Sequence, residues 1–398
     1  MTESKSLRHR QQLRAALISL AILCGLLGVV PPLLRGVTAR SRLNLLTNSS
    51  LQKDQGELLQ WEALKDDAVL PVYGSSELIK KVGARAGEFF KDAPTGFRVC
   101  PVGKAGNTCL LIAEKLAAMG DALRGRKVVI LLSSTWFRYD TVPAGLYAGN
   151  FSALQGMSMV LGQGIDPDVR RRLARRMMDY PETLEAQPLL SACLHQIVDG
   201  GQGKGLGVLK PFVQLTRTIS AAEDGLNTAV TALWLGADGP DVRTQPRDLD
   251  WDKMLNGGQR DEQTLVNGPP VRLPVDEAAS QRFVENIKNS KEWIDLNILL
   301  DLLKSLQARP LIISIPFCQD LDDAVGVGKE ARGYYYERLE GVCSARGLPL
   351  VDWKDYDGDP NFLIGTTSHL TKSGWLIADR VLDDFYHDRM TAAPTTLR

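Results

Sequence analysis

The pattern of apolar positions divides the chain into one long uncharged run and, after it, alternating strand-like and helix-like segments. Five short stretches rich in Val, Ile and Leu predict strands buried on both faces of a parallel sheet, at 68–73, 97–102, 127–133, 310–315 and 349–352. Helical periodicity separates them over 108–119, 293–306 and 330–346, and Thr108 is a plausible N-cap of the first. This alternation predicts an α/β domain, a doubly wound parallel sheet with right-handed crossovers, over residues 67–390.

The interval from about 140 to 275 is far too long for one crossover and predicts a helical insertion. Residues 166–196 have the pattern of two helices joined at Tyr180-Pro181-Glu182, and 221–235 predict another helix. Residues 238–275 are polar and rich in Gly, Pro and Asp, which is typical of a loose loop, a lid or a partner surface. Residues 391–398 form a polar tail.

The first 34 residues have the pattern of a membrane anchor. Residues 1–14 carry four Lys or Arg and one acidic residue, and residues 15–34 carry no charge. A run of about 20 apolar residues is long enough to cross a bilayer as a helix. The basic tail before it favours a cytoplasmic N-terminus and an exported body, joined by a polar stalk at 35–66. The alternative is a cleaved signal peptide, but the run is long and no clear cleavage site follows it.

Charge and cysteine content narrow the functional classes. The chain has 47 Lys or Arg and 47 Asp or Glu residues, so it has no net positive charge that would favour binding to nucleic acid. Of six cysteines, Cys24 lies in the uncharged run and none of the six has C-x-x-C spacing, which makes a zinc site improbable. The other five are predicted to be small core residues, although up to two disulfides stay open.

Ser76 and His369 are the best candidates for chemistry. In parallel sheets ligands bind beyond the carboxyl ends of the strands, and Ser76 follows the first strand after Gly74. A serine at a strand-to-helix turn is a common nucleophile, and histidine is its usual base. Of four histidines, only His369 lies at a strand-to-helix junction. The plainer interpretations are a polar helix start and a surface imidazole.

Five segments, in chain order, resemble the DltD family, the membrane-anchored proteins of teichoic-acid D-alanylation. They are PVYGSSEL at 71–78, GKAGNT at 103–108, SSTWF at 133–137, SIP at 314–316, and His369-Leu370 followed by Gly374-Trp375. The resemblance implies an SGNH-hydrolase-like fold, a three-layer α/β/α arrangement with a parallel sheet.

The resemblance implies that Ser76 would be the nucleophile and His369 the base. The backbone N–H groups of Ser76 and Gly106 would donate to the oxyanion, with Asn107 as a substitute amide donor. Ser75 would take the place of the aspartate in the superfamily's G-D-S motif.

The orienting acid of the superfamily's D-x-x-H motif has no match, because Thr366 stands three residues before His369. A threonine can accept a hydrogen bond from the imidazole but supplies no charge. The resemblance therefore leaves open a Ser–His dyad, a carboxylate such as Asp359 folding in, or weak activity.

The resemblance implies transfer of D-alanyl groups onto an envelope polymer, at a Ser–His site on the outer face of the cell membrane. The implied partners are a DltB-like membrane O-acyltransferase, a cytoplasmic D-alanyl carrier protein and the polymer acceptor. This chemistry needs no metal, nucleotide or other cofactor. Two alternatives remain at this point: an esterase, thioesterase or O-acetyltransferase on the same fold, and a non-catalytic scaffold of the membrane complex.

Overall fold

A computed structural model describes residues 36–51, 53–200, 204–239, 246–256, 272–364 and 367–390, with isolated positions at 12, 14, 15, 17–19 and 25. The predicted C-terminal tail and most of the predicted anchor at 15–34 lie outside these residues. Within the described part, no helix is both long and apolar enough to cross a membrane.

The centre of the domain is a five-stranded parallel sheet in the order β2-β1-β3-β4-β5. All five predicted strands are confirmed with bounds within one residue: β1 Val69–Gly74, β2 Arg98–Gly103, β3 Lys127–Ser133, β4 Arg309–Ile315 and β5 Leu350–Asp352. From β1 the chain moves outward to β2 and then returns to the other side of β1. The order therefore reverses beside β1, where sheets of this kind open a crevice at the carboxyl ends of the strands.

Helices surround the sheet and make up most of the rest of the described chain. In chain order they are α1 Arg42–Thr47, α2 Leu58–Lys65, α3 Ala86–Asp92, α4 Cys109–Met119, α5 Ala144–Asn150, α6 Ala153–Leu161, α7 Pro167–Met177, α8 Pro181–Glu185, α9 Pro188–Val198, α10 Lys204–Leu235, α11 Trp251–Asn256, α12 Glu277–Asn289, α13 Glu292–Ser305, α14 Gln319–Asp323, α15 Lys329–Ser344 and α16 Lys372–Tyr386. Short 3₁₀ turns include Ser76–Leu78 and Ser134–Arg138.

Both faces of the sheet are buried, as the unbroken apolar strands predict. Alternate residues point to opposite faces, so Tyr73 and Ile130 join one core while Val72 and Leu131 join another. The first core is covered by α4, α6, α13 and α15 among others, and the second by α3 and α16. The predicted α/β class is confirmed.

The insertion differs from its prediction in the number and length of its helices. Residues 166–196 contain parts of three helices rather than two, because Pro181 and Pro188 each occupy the first turn of a new one. The helix predicted at 221–235 is the second half of α10, which has 32 residues. Gly205, Gly207 and Pro211 weaken the helical pattern of the first half, but packing against α9 and α6 overrides them.

The segment predicted as a stalk, 35–66, packs onto the domain. Leu46, Ala63 and Leu64 belong to the first core. Two carboxylates from the insertion cap its helices, since Asp238 accepts the N–H groups of Leu43 and Asn44 and Asp224 accepts those at the start of α2. The insertion and this segment therefore hold each other in place. The five described cysteines are buried and free, so the core-residue prediction is confirmed for them.

Candidate active site at the carboxyl end of the sheet

The turn after β1 presents Ser76 from a backbone that is tied down on several sides. Ser75 is buried, its N–H donates to Glu77 Oε1 at 2.5 Å, and its hydroxyl donates to the carbonyl of Lys104 at 3.4 Å. A Cβ added to Gly74 would lie 2.4 Å from Glu77 Oε1. The glycine is therefore needed so that the glutamate can fold back over the turn, and Ser76 begins the 3₁₀ turn that follows.

The Gly-rich loop after β2 lies against this turn. Gly103 pairs with Gly74 across the two strands, and a Cβ on Gly103 would lie 2.4 Å from the Gly74 carbonyl oxygen. The loop turns through Gly106, whose φ of +87° favours glycine, and is closed by the Asn107 N–H donating to the Lys104 carbonyl at 3.0 Å. The buried Asn107 amide donates to the Gly74 carbonyl at 2.7 Å. Ser75, Gly106 and Asn107 therefore lie in two loops joined by hydrogen bonds.

His369 reaches the site from the last loop of the domain. Leu363 and Leu370 form an isolated antiparallel bridge, and the Ile364 N–H donates to the His369 carbonyl at 2.8 Å. The loop leads directly into α16, where the Thr371 hydroxyl caps the Gly374 N–H at 3.0 Å. A Cβ on Gly374 would lie 2.5 Å from the Phe362 carbonyl oxygen, so the helix can approach the loop closely only with glycine there.

The two predicted residues meet at this edge. His369 Nε2 lies 2.9 Å from Ser76 Oγ, within hydrogen-bond distance, although 293 positions separate them in the sequence. Burial lowers the pKa of His369 below its ordinary value of 6.5, and the positive charge of Lys80 lowers it further. The imidazole is therefore neutral near pH 7, the form that can accept a proton from the serine hydroxyl.

The second ring nitrogen of His369 lacks, among the described residues, the hydrogen-bond partner that would orient the imidazole. Nδ1 is buried, and no described residue forms a hydrogen bond with it. The carboxylate of Asp359 accepts the Asn361 N–H at 2.8 Å within its own turn and is not among the described partners of His369. Thr366 lies outside the described residues, so its predicted contact with His369 stays a prediction.

Glu77 has a part in the site that sequence reasoning did not assign. Its side chain is buried, and burial raises its pKa to about 7, against the opposing effect of the Ser75 N–H. The only sequence signal for this role is the position of Glu77 one residue after Ser76. That signal is weak, because a glutamate early in a helix usually faces water. The structure instead places its carboxyl beneath the serine turn, where it fixes the backbone that carries Ser76.

Comparison with known proteins gives one consistent result. The family described as DltD protein matches residues 47–387. Protein DltD of Bacillus subtilis (strain 168) is 28% identical over 344 residues, which cover 83% of this chain and 86% of the relative. Protein DltD of Staphylococcus aureus (strain NCTC 8325 / PS 47) is 23% identical over 341 residues, 82% of this chain and 83% of the relative. Protein DltD of Lacticaseibacillus rhamnosus is 22% identical over 350 residues, 83% and 80% of the two chains.

Proposed function

Because this chain belongs to the DltD family and its role is in the D-alanylation of teichoic acid, we propose that it carries the D-alanyl group on Ser76, with His369 as the base. The observation that carries the proposal is the 2.9 Å contact between Ser76 Oγ and His369 Nε2 at the carboxyl edge of the sheet. The lowered pKa of His369 supports it, because only the neutral imidazole can take the proton.

The proposed reaction has two balanced halves. In the first, Nε2 takes the Ser76 proton while Oγ bonds to the carbonyl carbon of an activated D-alanyl ester or thioester. The leaving alcohol or thiol departs with the proton from the imidazolium, and D-alanyl-Ser76 remains. In the second, a polymer hydroxyl gives its proton to Nε2 and attacks the acyl-serine. The new ester forms, and Ser76 recovers its proton.

We assign the oxyanion of each tetrahedral intermediate to the N–H groups of Ser76 and Gly106. What supports this assignment is the close packing of the serine turn against the Gly106 loop, held by the bonds from Ser75 and Asn107. The side-chain N–H that Asn107 gives to the Gly74 carbonyl keeps the two loops together. Backbone donors fixed in this way stabilise developing charge without reorganisation during the reaction.

We further propose an SGNH-type domain that is held at the outer face of the cell membrane by residues 15–34. Helices on both faces of the sheet, the serine after β1 and the histidine before α16 support the fold type. The uncharged run after a basic tail supports the anchor. A membrane O-acyltransferase would supply the activated D-alanyl group, which originates on a cytoplasmic carrier protein. Protease added to spheroplasts should digest the body; resistance of the body would contradict this topology.

The proposed site is tested by measuring ester-linked D-alanine on the envelope polymer. Complementation of a deletion strain with Ser76→Ala or His369→Ala should leave the ester at the level of the deletion, while the protein is present at normal abundance. Ser75→Ala is the matched control, because Ser75 lies in the same turn but forms no described hydrogen bond with His369; it removes only the 3.4 Å bond to the Lys104 carbonyl and should restore most of the ester. Normal ester with Ser76→Ala would reject acyl transfer through this serine and favour a scaffold.

A further inference from the structure

Helix α10 exposes an apolar stripe along its outer side, interrupted by the exposed Glu223. Phe212, Leu215, Ile219, Leu226, Val230 and Leu233 recur at helical spacing, and all of them are exposed. Trp234 at the end of the helix is 86% exposed and Leu233 71%. With a rise of about 1.5 Å per residue, the stripe extends for roughly 30–40 Å. A surface of this length and character on a protein marks an interaction site.

Helix α10 is apolar on its outward side as well as where it packs against the domain, where Val213 is buried. Its inward side also carries charged groups, since Arg217 pairs with Glu57 at 2.9 Å and Asp224 caps the N-terminus of α2. Its outward side, over 211–235, contains Glu223 as the only exposed charged residue among the described positions. A surface helix in water normally turns its apolar side inward. The outward side of α10 is therefore suited to an apolar surrounding.

The exposed threonines of α10 need no water. The hydroxyls of Thr216, Thr218 and Thr231 donate to the carbonyl four residues earlier, at 3.0, 2.7 and 2.8 Å. This local bonding satisfies the hydroxyl donor within the helix. Because no charged flanks of the coiled-coil type accompany the stripe, a second copy of the helix is a poor match for it.

The end of α10 also contacts residues 40 and 41, which follow the uncharged run 15–34 in the sequence. The Ser41 hydroxyl donates to the Ala232 carbonyl at 3.2 Å, and the Asp238 N–H donates to the Arg40 carbonyl at 2.7 Å. Ser41 is seven positions after residue 34, and that length of chain spans at most about 25 Å. Leu233 and Trp234 therefore lie beside Arg40 and Ser41, described residues that follow the run in the sequence.

We propose that the outward side of α10 lies in the interfacial region of the lipid bilayer, with Trp234 at the level of the headgroups. Interfacial helices bind with an apolar side immersed at the acyl boundary, and tryptophan favours that boundary. The apolar side is available here because the polar side of α10 is already bonded to the domain. The inference uses the proposed attachment by residues 15–34 and is independent of the chemistry at Ser76. Contact of α10 with the bilayer holds the domain flat against the membrane instead of extended from it.

Quenching by brominated lipid tests this contact. The full chain is reconstituted into vesicles of phosphatidylcholine and phosphatidylglycerol, with and without dibromo-phosphatidylcholine. The contribution of Trp234 is the difference between the wild type and Trp234→Phe, and it should lose most of its fluorescence in the brominated vesicles. In the Trp234→Phe background, tryptophan is then placed by Leu215→Trp or, as the matched control, Ile294→Trp. These positions are 52% and 51% exposed, but Ile294 lies on α13.

The proposal predicts strong quenching at 215 and little at 294. Equal quenching at the two positions, an unquenched Trp234 in vesicle-bound protein, or failure of the chain to float with vesicles would each overturn it. Cross-linking of position 215 to a second copy, without quenching, would instead assign the stripe to a dimer. Ser76→Ala should leave the quenching unchanged, so that failure of the catalytic proposal and failure of this one are distinguishable.

Discussion

Ser76 and His369 meet at one edge of the sheet, but the two sides of the site are held differently. The serine turn is fixed by neighbours from β1 and β2, with Glu77 beneath it and Gly103 against it. The histidine comes on a loop whose bonds run mainly to its own residues and to the start of α16. On the serine side the Ser75 N–H and the Asn107 side-chain N–H are bonded, although Asn107 Oδ1 is buried without a described hydrogen bond; on the histidine side the atom without a described partner is a ring nitrogen of His369 itself, Nδ1.

The comparison indicates which side determines geometry and which determines proton affinity. In the proposed reaction, a rigid serine turn would fix where the acyl group and the oxyanion lie, which is where small displacements cost most in rate. The histidine side controls how readily a proton is taken, through burial, Lys80 and whatever group meets Nδ1. Mutations on the first side should therefore change folding or rate, and mutations on the second should change pH dependence.

The largest effects expected at every pH come from filling the two glycine contacts. Gly103→Ala places a Cβ 2.4 Å from the Gly74 carbonyl oxygen and Gly374→Ala one 2.5 Å from that of Phe362, so both must displace backbone. Each should lower the free energy of unfolding by about 1–3 kcal/mol, the usual cost of overpacking. Urea denaturation measures this. Gly333→Ala on α15, which meets no atom within 4 Å, is the control and should be neutral or stabilising. Unchanged stability in both contact variants would contradict the tight packing.

Glu77→Gln tests whether the buried carboxyl beneath the serine turn is protonated in the folded state. Because burial raises the pKa of Glu77 to about 7 from an ordinary 4.5, the folded state holds the proton more tightly than the unfolded chain does. Its stabilising contribution is therefore complete below pH 4.5 and is lost as pH rises through about 7. In the wild type the free energy of unfolding should fall by about 3 kcal/mol between those limits, and Glu77→Gln should remove this pH dependence. Denaturation curves at several pH values test it, and an unchanged slope would contradict the buried, protonated carboxyl.

Thr366→Asp tests the histidine side. Thr366 stands where the superfamily has an aspartate, and a carboxylate near Nδ1 would stabilise the imidazolium that forms during transfer. The variant should preserve or raise D-alanyl transfer. Asp359→Asn is the control, since the Asp359 carboxylate is bonded to the Asn361 N–H, and it should leave the pH profile unchanged. Loss of activity in folded Thr366→Asp would show that another group already fills that space.

The smallest expected effect is that of Lys80. Its positive charge lowers the pKa of His369, so Lys80→Met should raise that pKa. Because the base must be neutral, the acidic limb of the rate profile should move to higher pH, while the rate at alkaline pH is retained. Lys80→Arg keeps the charge and should leave the limb in place. If the acidic limb does not move in Lys80→Met, Lys80 does not lower the pKa of His369.

The sheet could be predicted from sequence because its strands are buried on both faces and are continuous apolar runs. The insertion could not be predicted in the same detail. Pro188 looked like an interior residue of a longer helix, and the glycines before Phe212 concealed half of α10. In each case local pattern and tertiary packing disagree, and packing decides.

The sequence predicted that Ser76 and His369 would lie together, and the structure places them within hydrogen-bond distance; a serine after a strand and a histidine before a helix leave recognisable local patterns. Sequence could not predict that Glu77 would be buried beneath the turn, because this depends on Gly74 and Gly103 lying side by side on adjacent strands. Nor could it exclude Asp359, whose bond to its own turn is a matter of local backbone geometry.

Labelling of Ser76 by a fluorophosphonate is the most direct test of the central claim, because such probes react with serines that a neighbouring base activates. The full-length wild-type protein at neutral pH should be labelled, and mass spectrometry should place the adduct on Ser76. Labelling should be lost in Ser76→Ala and His369→Ala and retained in Ser75→Ala. An unlabelled wild-type protein, or an adduct that persists in folded His369→Ala, would contradict a Ser76–His369 acyl-transfer site.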